Sequence, residues 1–186
     1  MRLIYPWLSG ICAALAACTV LAQAPAANLP AVRSIAAIDV PRYMGTWYEI
    51  AKFPNRFQRN CSANTRAQYL LQTDGSVQVL NSCKTASGET MDALGLAKQV
   101  GAADSPQLKV RFAPAWLSWL PQVWGDYWVI DLDPNYQLAA VSEPTREYLW
   151  VLSRTPHVAP SVYQALMQRL QAQGFAIDKL EPTPQP

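Results

Sequence analysis

The feature that most constrains the fold is a repeat of short apolar runs, separated by turn residues, from residue 43 to the C-terminal region. Apolar and polar residues alternate within most runs, which is typical of half-buried β-strands. Fifteen prolines and eight glycines suit short strands joined by turns, because a helical bundle tolerates proline only near helix ends. The pattern therefore predicts an all-β domain.

Eight segments fit the strand pattern, and short links join them in order. Asp74 and Gly75 favour a tight hairpin, so the second and third segments should be antiparallel. Successive hairpins of this kind build an eight-stranded antiparallel up-and-down β-barrel, whose interior is wide enough for one small ligand. The predicted strands are 45–53, 64–72, 77–83, 91–100, 107–113, 125–133, 137–142 and 148–154.

A single C-terminal α-helix is predicted after the last strand. Ser161 can cap a helix over 162–173, and Gly174 can end it. Its apolar residues share one face, which should pack outside the barrel. This face contains Tyr163, Leu166, Met167 and Leu170. The barrel domain is placed at 41–180, and the proline-rich residues 181–186 are expected to form a flexible tail.

The first residues have the pattern of an export signal over 1–17. The sequence Leu15-Ala16-Ala17-Cys18 resembles the lipobox of bacterial lipoproteins, in which the cysteine becomes the acylated first residue. The aspartate that signals inner-membrane retention does not follow Cys18, so a lipid anchor in the outer membrane is expected. The alternative is a secretory peptide cut near 22–24, with Pro25 as a poor neighbour of the cut. Residues 18–40 are Ala/Pro-rich and are predicted to be a tether.

Two of the four cysteines remain in the exported domain, Cys61 and Cys83. In an oxidising compartment the simplest arrangement is one structural disulfide between them. The alternative is a redox pair, but the two residues lack the C-x-x-C spacing of thioredoxin-like sites.

Composition disfavours several classes of function. A net charge of +2 without a Lys/Arg stripe gives no footprint for nucleic acid. The single histidine, His157, argues against a His-rich metal site and against an activated Ser142 or Ser153, and no G-x-S-x-G motif occurs. We therefore expect no metal, no cofactor and no enzymatic activity.

Three motifs resemble the signatures of the lipocalin family. Gly45-Thr46-Trp47 matches G-x-W, Asp133 to Tyr136 resembles the second signature, and Arg154 resembles the third-signature arginine. Leu132 departs from the threonine that many members have before the second motif. The sequence around these motifs is most similar to that of bacterial lipocalin lipoproteins, which also resemble apolipoprotein D and plant temperature-induced lipocalins.

One end of such a barrel should be closed. The start of the first strand, the turn after the sixth and the end of the eighth lie at the same end of an up-and-down barrel. The resemblance implies that the arginine lies across the tryptophan ring and bonds to backbone carbonyls there. The expected closure residues are Gly45, Trp47, Tyr136 and Arg154.

Period-2 alternation from Trp47 and Arg154 assigns the interior face of the barrel. Glu49 is the exceptional carboxylate on this face, and it should either pair with a tyrosine or arginine or bind a polar ligand head. The lining predicted for a ligand is otherwise apolar or aromatic, although a filled core without a ligand is the alternative. It comprises Glu49, Ala51, Ala67, Tyr69, Val79, Val110, Phe112, Tyr127, Tyr148 and Trp150.

The opposite end is expected to be the mouth. Residues 114–124 hold three tryptophans and no charge, so this link either folds inward as a lid or forms a lip through Trp116 and Trp119. A lip could contact a membrane or a second copy of the chain in a homodimer. Arg56 and Arg59 lie near aromatic residues and either seat a phosphate headgroup or remain solvated.

These features predict a membrane-anchored binding protein of the cell envelope that stores or transports lipids. The ligands would be fatty acids, lysophospholipids or similar amphiphiles. The alternative is a carrier of another apolar molecule, such as a pigment, an isoprenoid or a haem-like ring.

Overall fold

The computed structural model describes residues 29–186. The predicted signal peptide and Cys18 lie outside this range. Nine β-strands, a short helix α1 and a longer helix α2 follow in chain order. They are α1 (Val40–Tyr43), β1 (Gly45–Lys52), β2 (Ala63–Leu71), β3 (Val77–Lys84), β4 (Thr90–Gln99), β5 (Gln107–Arg111), β6 (Gly125–Leu132), β7 (Leu138–Ser142), β8 (Leu149–Ser153), α2 (Pro160–Ala172) and β9 (Glu181–Pro182).

The first eight strands form a closed antiparallel barrel, which confirms the predicted fold. Each strand pairs with the next along the chain, from β1–β2 to β7–β8. The barrel closes because β1 also pairs with β8, through Tyr48 to Lys52. Because of this closure, β1 and β8 each have a paired strand on both sides.

The apolar residues divide into an inner and an outer cluster. The inner cluster draws residues from all eight strands of the barrel, including Trp47, Val129 and Leu152. The outer cluster lies between the barrel wall and α2, where Leu166 and Leu170 are fully buried. Helix α2 therefore packs outside the barrel, as predicted.

The predicted start of this helix is wrong. Helix α2 begins at Pro160, and its N-cap residue is Ala159, which makes no side-chain capping bond. Proline is well suited to the first helical position, because its fixed φ is helical and its missing N–H would have no partner there. Ser161 therefore lies inside the first turn and does not cap it.

The prediction of a tether up to residue 40 is also wrong for its described part. Val32 is buried in the outer cluster, and the amide of Ile35 donates to the carbonyl of Val129 over 2.9 Å. Ile38 and Val40 join the inner cluster at one end of the barrel. The segment preceding β1 is therefore part of the folded domain.

The C-terminal residues form part of the barrel wall, so the predicted flexible tail is wrong. Glu181 and Pro182 pair with Lys52 and Ala51 as strand β9. Beyond them the Thr183 amide donates to Ile50, and the carbonyl of Pro184 accepts from the Asn64 amide. The tail thus bridges β1 and β2 where these two strands diverge.

Candidate functional site

The barrel is closed at the end where β1 begins. Trp47 and Arg154 close it, and this pair is called the stopper. The guanidinium carbon of Arg154 lies 3.9 Å from the centre of the Trp47 ring. Its three nitrogens donate to the carbonyls of Thr46 (2.9 Å), Arg42 (2.7 Å) and Tyr136 (3.2 Å). The arginine therefore ties three chain segments together beneath the tryptophan.

Gly45 and Tyr136 adapt the backbone to this stopper. Gly45 has φ +93°, and a Cβ there would lie 3.4 Å from Nη1 of Arg154, so glycine leaves room for the guanidinium. The Tyr136 hydroxyl accepts from the Asp39 amide over 2.8 Å, and its ring lies 4.1 Å from the guanidinium carbon of Arg42. The four residues predicted for closure are thus brought together.

Above the stopper, three tyrosines form a hydrogen-bonded cluster in the barrel. The Tyr127 hydroxyl lies 2.9 Å from that of Tyr43 and 2.9 Å from that of Tyr69. The Tyr43 ring packs on Trp47 with centroids 4.9 Å apart. Burial raises the pKa of Tyr69 to about 12 and raises that of the other two phenols further, so all three are neutral.

The interior is accessible from the other end. Ala93 lies between Met91 and Gly95 on the inward-facing side of β4, yet it is exposed. Val110, Tyr127 and Trp150 pack against the inner cluster but are only partly buried. Inward-facing residues keep such exposure only if the space beside them is open to solvent. Ala67, Tyr69 and Val79, also predicted to line the interior, are buried within the same cluster.

Ala51 does not line the interior, which corrects the sequence prediction. The β1–β8 register shifts between Glu49, opposite Leu152, and Ala51, opposite Val151. This bulge inserts one residue and reverses the alternation of faces. Ala51 therefore joins Val151 in the outer cluster beneath α2.

Glu49 is buried inside the barrel near its open end, and it pairs with neutral groups rather than with a tyrosine or arginine. Gln58 Nε2 donates to Oε2 over 2.5 Å, and the Thr183 hydroxyl donates to Oε1 over 2.6 Å. Burial raises the pKa of Glu49, and these two hydrogen bonds oppose the rise only in part. The mouth therefore contains a carboxyl group that protonates unusually easily.

Aromatic rings extend this polar network to the rim. Trp150 Nε1 donates to Oε1 of Gln58 over 3.0 Å. The Tyr148 and Trp150 rings stack with centroids 5.7 Å apart, and Phe57 contacts Tyr148 at 5.6 Å. The rings of Phe57, Tyr148 and Trp150 thus form a continuous row from the solvent-exposed rim to the interior.

Phe112 lies past the end of β5 and covers part of the opening. It is 43% exposed, and a Cβ on Gly95 would lie 2.7 Å from its ring. The Phe112 ring therefore fits in this position because Gly95 has no side chain.

The predicted mouth residues are exposed. Trp116 and Trp119 are 73% and 74% exposed, so these two indoles do not fold inward as a lid. Arg56 begins the short 3-10 turn Arg56–Gln58 and Arg59 follows it, and both are exposed. The predicted disulfide between Cys61 and Cys83 is confirmed, with an S–S distance of 2.02 Å, and it anchors this loop to β3.

Sequence reasoning missed Gln58, Thr183 and Tyr43. Gln58 and Thr183 are the partners of Glu49, but neither belongs to a periodic segment that would have marked it. Tyr43 lies one turn before the G-x-W motif, and its carbonyl accepts from Trp47 Nε1 over 2.8 Å. An aromatic residue four positions before the motif tryptophan was the available signal.

No helix within residues 29–186 combines the length and apolar character needed to cross a bilayer. The same range contains no group of three or more His, Cys, Asp or Glu side chains placed to hold a metal ion.

A barrel with one stoppered end and one open end defines a class of binding proteins that enclose small ligands. The lipocalin-like domain family matches residues 38–185, and the chain belongs to the lipocalin family. Members of this family bind small hydrophobic molecules and are generally binding or transport proteins.

Known relatives agree with this assignment. The chain is 42% identical to temperature-induced lipocalin-1 of Arabidopsis thaliana over 149 residues, covering 80% of each chain. It is 39% identical to the outer membrane lipoprotein Blc of Escherichia coli K12, covering 76% of each. Mouse apolipoprotein D is 31% identical, with 79% of this chain and 77% of that one covered.

Solved structures share the fold at low identity. Insecticyanin from the tobacco hornworm Manduca sexta has a TM-score of 0.64 at 18% identity, covering 83% of this chain and 85% of its own. Apocrustacyanin C1 has a TM-score of 0.62 at 12% identity, covering 80% of each chain.

Proposed function

We propose that this lipocalin binds fatty acids, lysophospholipids or similar amphiphiles in its barrel and stores or transports them in the cell envelope. The observation that carries the proposal is an interior of apolar and aromatic side chains, open at one end only. Burial of an acyl chain there contributes about 0.8 kcal/mol per methylene group. The relationship to outer membrane lipoproteins supports the location in the cell envelope.

The polar groups favour an orientation with the headgroup at the mouth. Glu49, Gln58 and the exposed Arg56 and Arg59 all lie near the open end, whereas Val77 and Ala139 lie in the buried inner cluster towards the closed end. Because a charged headgroup is costly to bury, it should remain at the rim while the chain enters the barrel.

Intrinsic fluorescence tests the binding directly. A lysophospholipid should change the emission of Trp150 saturably, with one ligand per barrel, and Trp150→Phe should remove most of the change. Replacing Arg56 and Arg59 together by Ala should weaken binding of anionic lipids but not of fatty alcohols. Arg66→Ala, an exposed arginine of β2, is the matched control. A folded barrel that binds no fatty acid, lysolipid or fatty alcohol would refute the proposal.

We further propose that Cys18 carries acyl chains such as palmitate and anchors the protein in the outer membrane. Its support is the lipobox-like sequence before it and the kinship to outer membrane lipoproteins. Cys18→Ser should abolish incorporation of labelled palmitate and release the protein from membranes, whereas Cys12→Ser should retain both. Unchanged labelling of Cys18→Ser would contradict the anchor.

A further inference from the structure

We propose that the Tyr43, Tyr69 and Tyr127 cluster is a hydrogen-bond donor subsite at the inner end of the cavity. It would select apolar ligands that carry a neutral oxygen acceptor, such as a ketone or ester carbonyl, at the end that enters first. This inference rests on the proposed binding function and deepens it by naming the class of ligand.

The three hydroxyl groups of the cluster carry three protons. Each phenol has one proton to donate and can also accept. Two hydrogen bonds connect the three hydroxyls, and Tyr127 takes part in both. Each bond uses one proton, so one proton of the cluster remains. Within residues 29–186 no carbonyl or side chain accepts it.

The remaining donor is costly unless a ligand or water meets it. Tyr43 and Tyr69 are only 4% and 8% exposed, so bulk solvent reaches them poorly. Tyr127 is partly exposed on the inner side of β6, so a ligand that enters the barrel can reach the cluster through this residue. A buried donor without a partner is destabilising, and a ligand acceptor in contact with it removes that penalty.

The surroundings favour a neutral acceptor over a carboxylate. Arg154 is the cation that acts on these phenols, but its nitrogens already donate to three backbone carbonyls beside Trp47. The cluster offers one neutral O–H and no free positive charge, which suits a single carbonyl oxygen.

Calorimetry on the full exported protein can test the subsite with hexadecanoic acid and its 15-oxo derivative, together with homologues of about twelve to eighteen carbons. The wild type should bind the oxo acid at least as tightly as the parent acid at the chain length that reaches the cluster. The triple variant Tyr43→Phe, Tyr69→Phe, Tyr127→Phe keeps the ring shapes without the hydroxyls. It should bind the oxo acid about tenfold more weakly than the parent acid, because the carbonyl is buried without a donor.

The single variant Tyr69→Phe is the matched control. In this variant Tyr43 and Tyr127 still share one hydrogen bond, and one hydroxyl proton remains free to donate. The variant should therefore keep the wild-type ratio of the affinities for the oxo acid and the parent acid. Should the triple variant fail to fold, the wild-type ratio of the two affinities decides the question by itself. A tenfold preference of the wild type for the parent acid at every length would overturn the subsite alone. Failure of the wild type to bind either acid would overturn the proposed function as well.

Discussion

The guanidinium of Arg154 lies 3.9 Å from the Trp47 ring while it bonds to carbonyls of three chain segments. This pair closes the barrel because one side chain supplies both the stack on the indole and the donors for the carbonyls below it. Residues 108 positions apart in the chain, Thr46 and Arg154, are thereby joined.

Replacing Arg154 by Ala should destabilise the protein by about 2–4 kcal/mol, because the stack is lost and partly buried carbonyls lose their donors. In urea unfolding the midpoint should fall with little change in slope. Arg169→Ala is the control, because Arg169 is exposed and pairs only with Asp131. That variant should lose about 1 kcal/mol or less. Equal losses in the two variants would contradict the closing role of Arg154.

Removing the disulfide should lower stability by about 3 kcal/mol, because the bond constrains a loop whose ends are 22 residues apart. Replacing Cys61 and Cys83 together by Ser should reproduce the effect of a reducing agent on the wild type. The double variant itself should not respond to the reductant. A further loss on reduction would show that another thiol pair contributes.

Stability should depend on pH through Glu49. Burial raises its pKa in the native state above the ordinary 4.5, so the native protein holds the proton where the unfolded chain has released it. Stability from this group is fully present below about pH 4.5 and is lost as the pH rises through the native pKa. Relative to wild type, Glu49→Gln should therefore become more stable as the pH rises from 4 towards 8.

Urea unfolding of both proteins at several pH values measures this difference. Glu89→Gln changes an exposed carboxylate in the β3–β4 hairpin and controls for the loss of charge. A difference between wild type and Glu49→Gln that does not vary with pH would contradict the raised pKa.

Deleting residues 181–186 should weaken the wall between β1 and β2. The Gln185 side chain donates to the carbonyls of Glu49 (2.7 Å) and Thr65 (2.9 Å), and Asn64 donates to Pro184. Their loss should cost about 2–4 kcal/mol and speed hydrogen exchange at the Asn64 amide. Gln185→Ala should show part of the loss with the strand pairing of β9 retained. Full stability of the truncated chain would contradict this structural role.

The sequence determined the barrel, because its strands are neighbours along the chain and their alternation is a local property. The same locality explains why the hairpin at Asp74-Gly75 was predictable, since β2 and β3 on either side of it pair along their length. The cysteine count, together with the predicted export, was sufficient to predict the Cys61–Cys83 bond.

Only the tertiary structure decided the details of the mouth. A one-residue bulge after Glu49 moved Ala51 to the outer face, and no alternation pattern contains such an insertion. Glu49 found its partners in Gln58 and in Thr183, the latter 134 residues away. Contacts between distant segments leave no local periodic signal, because packing and burial select them only after the barrel has closed.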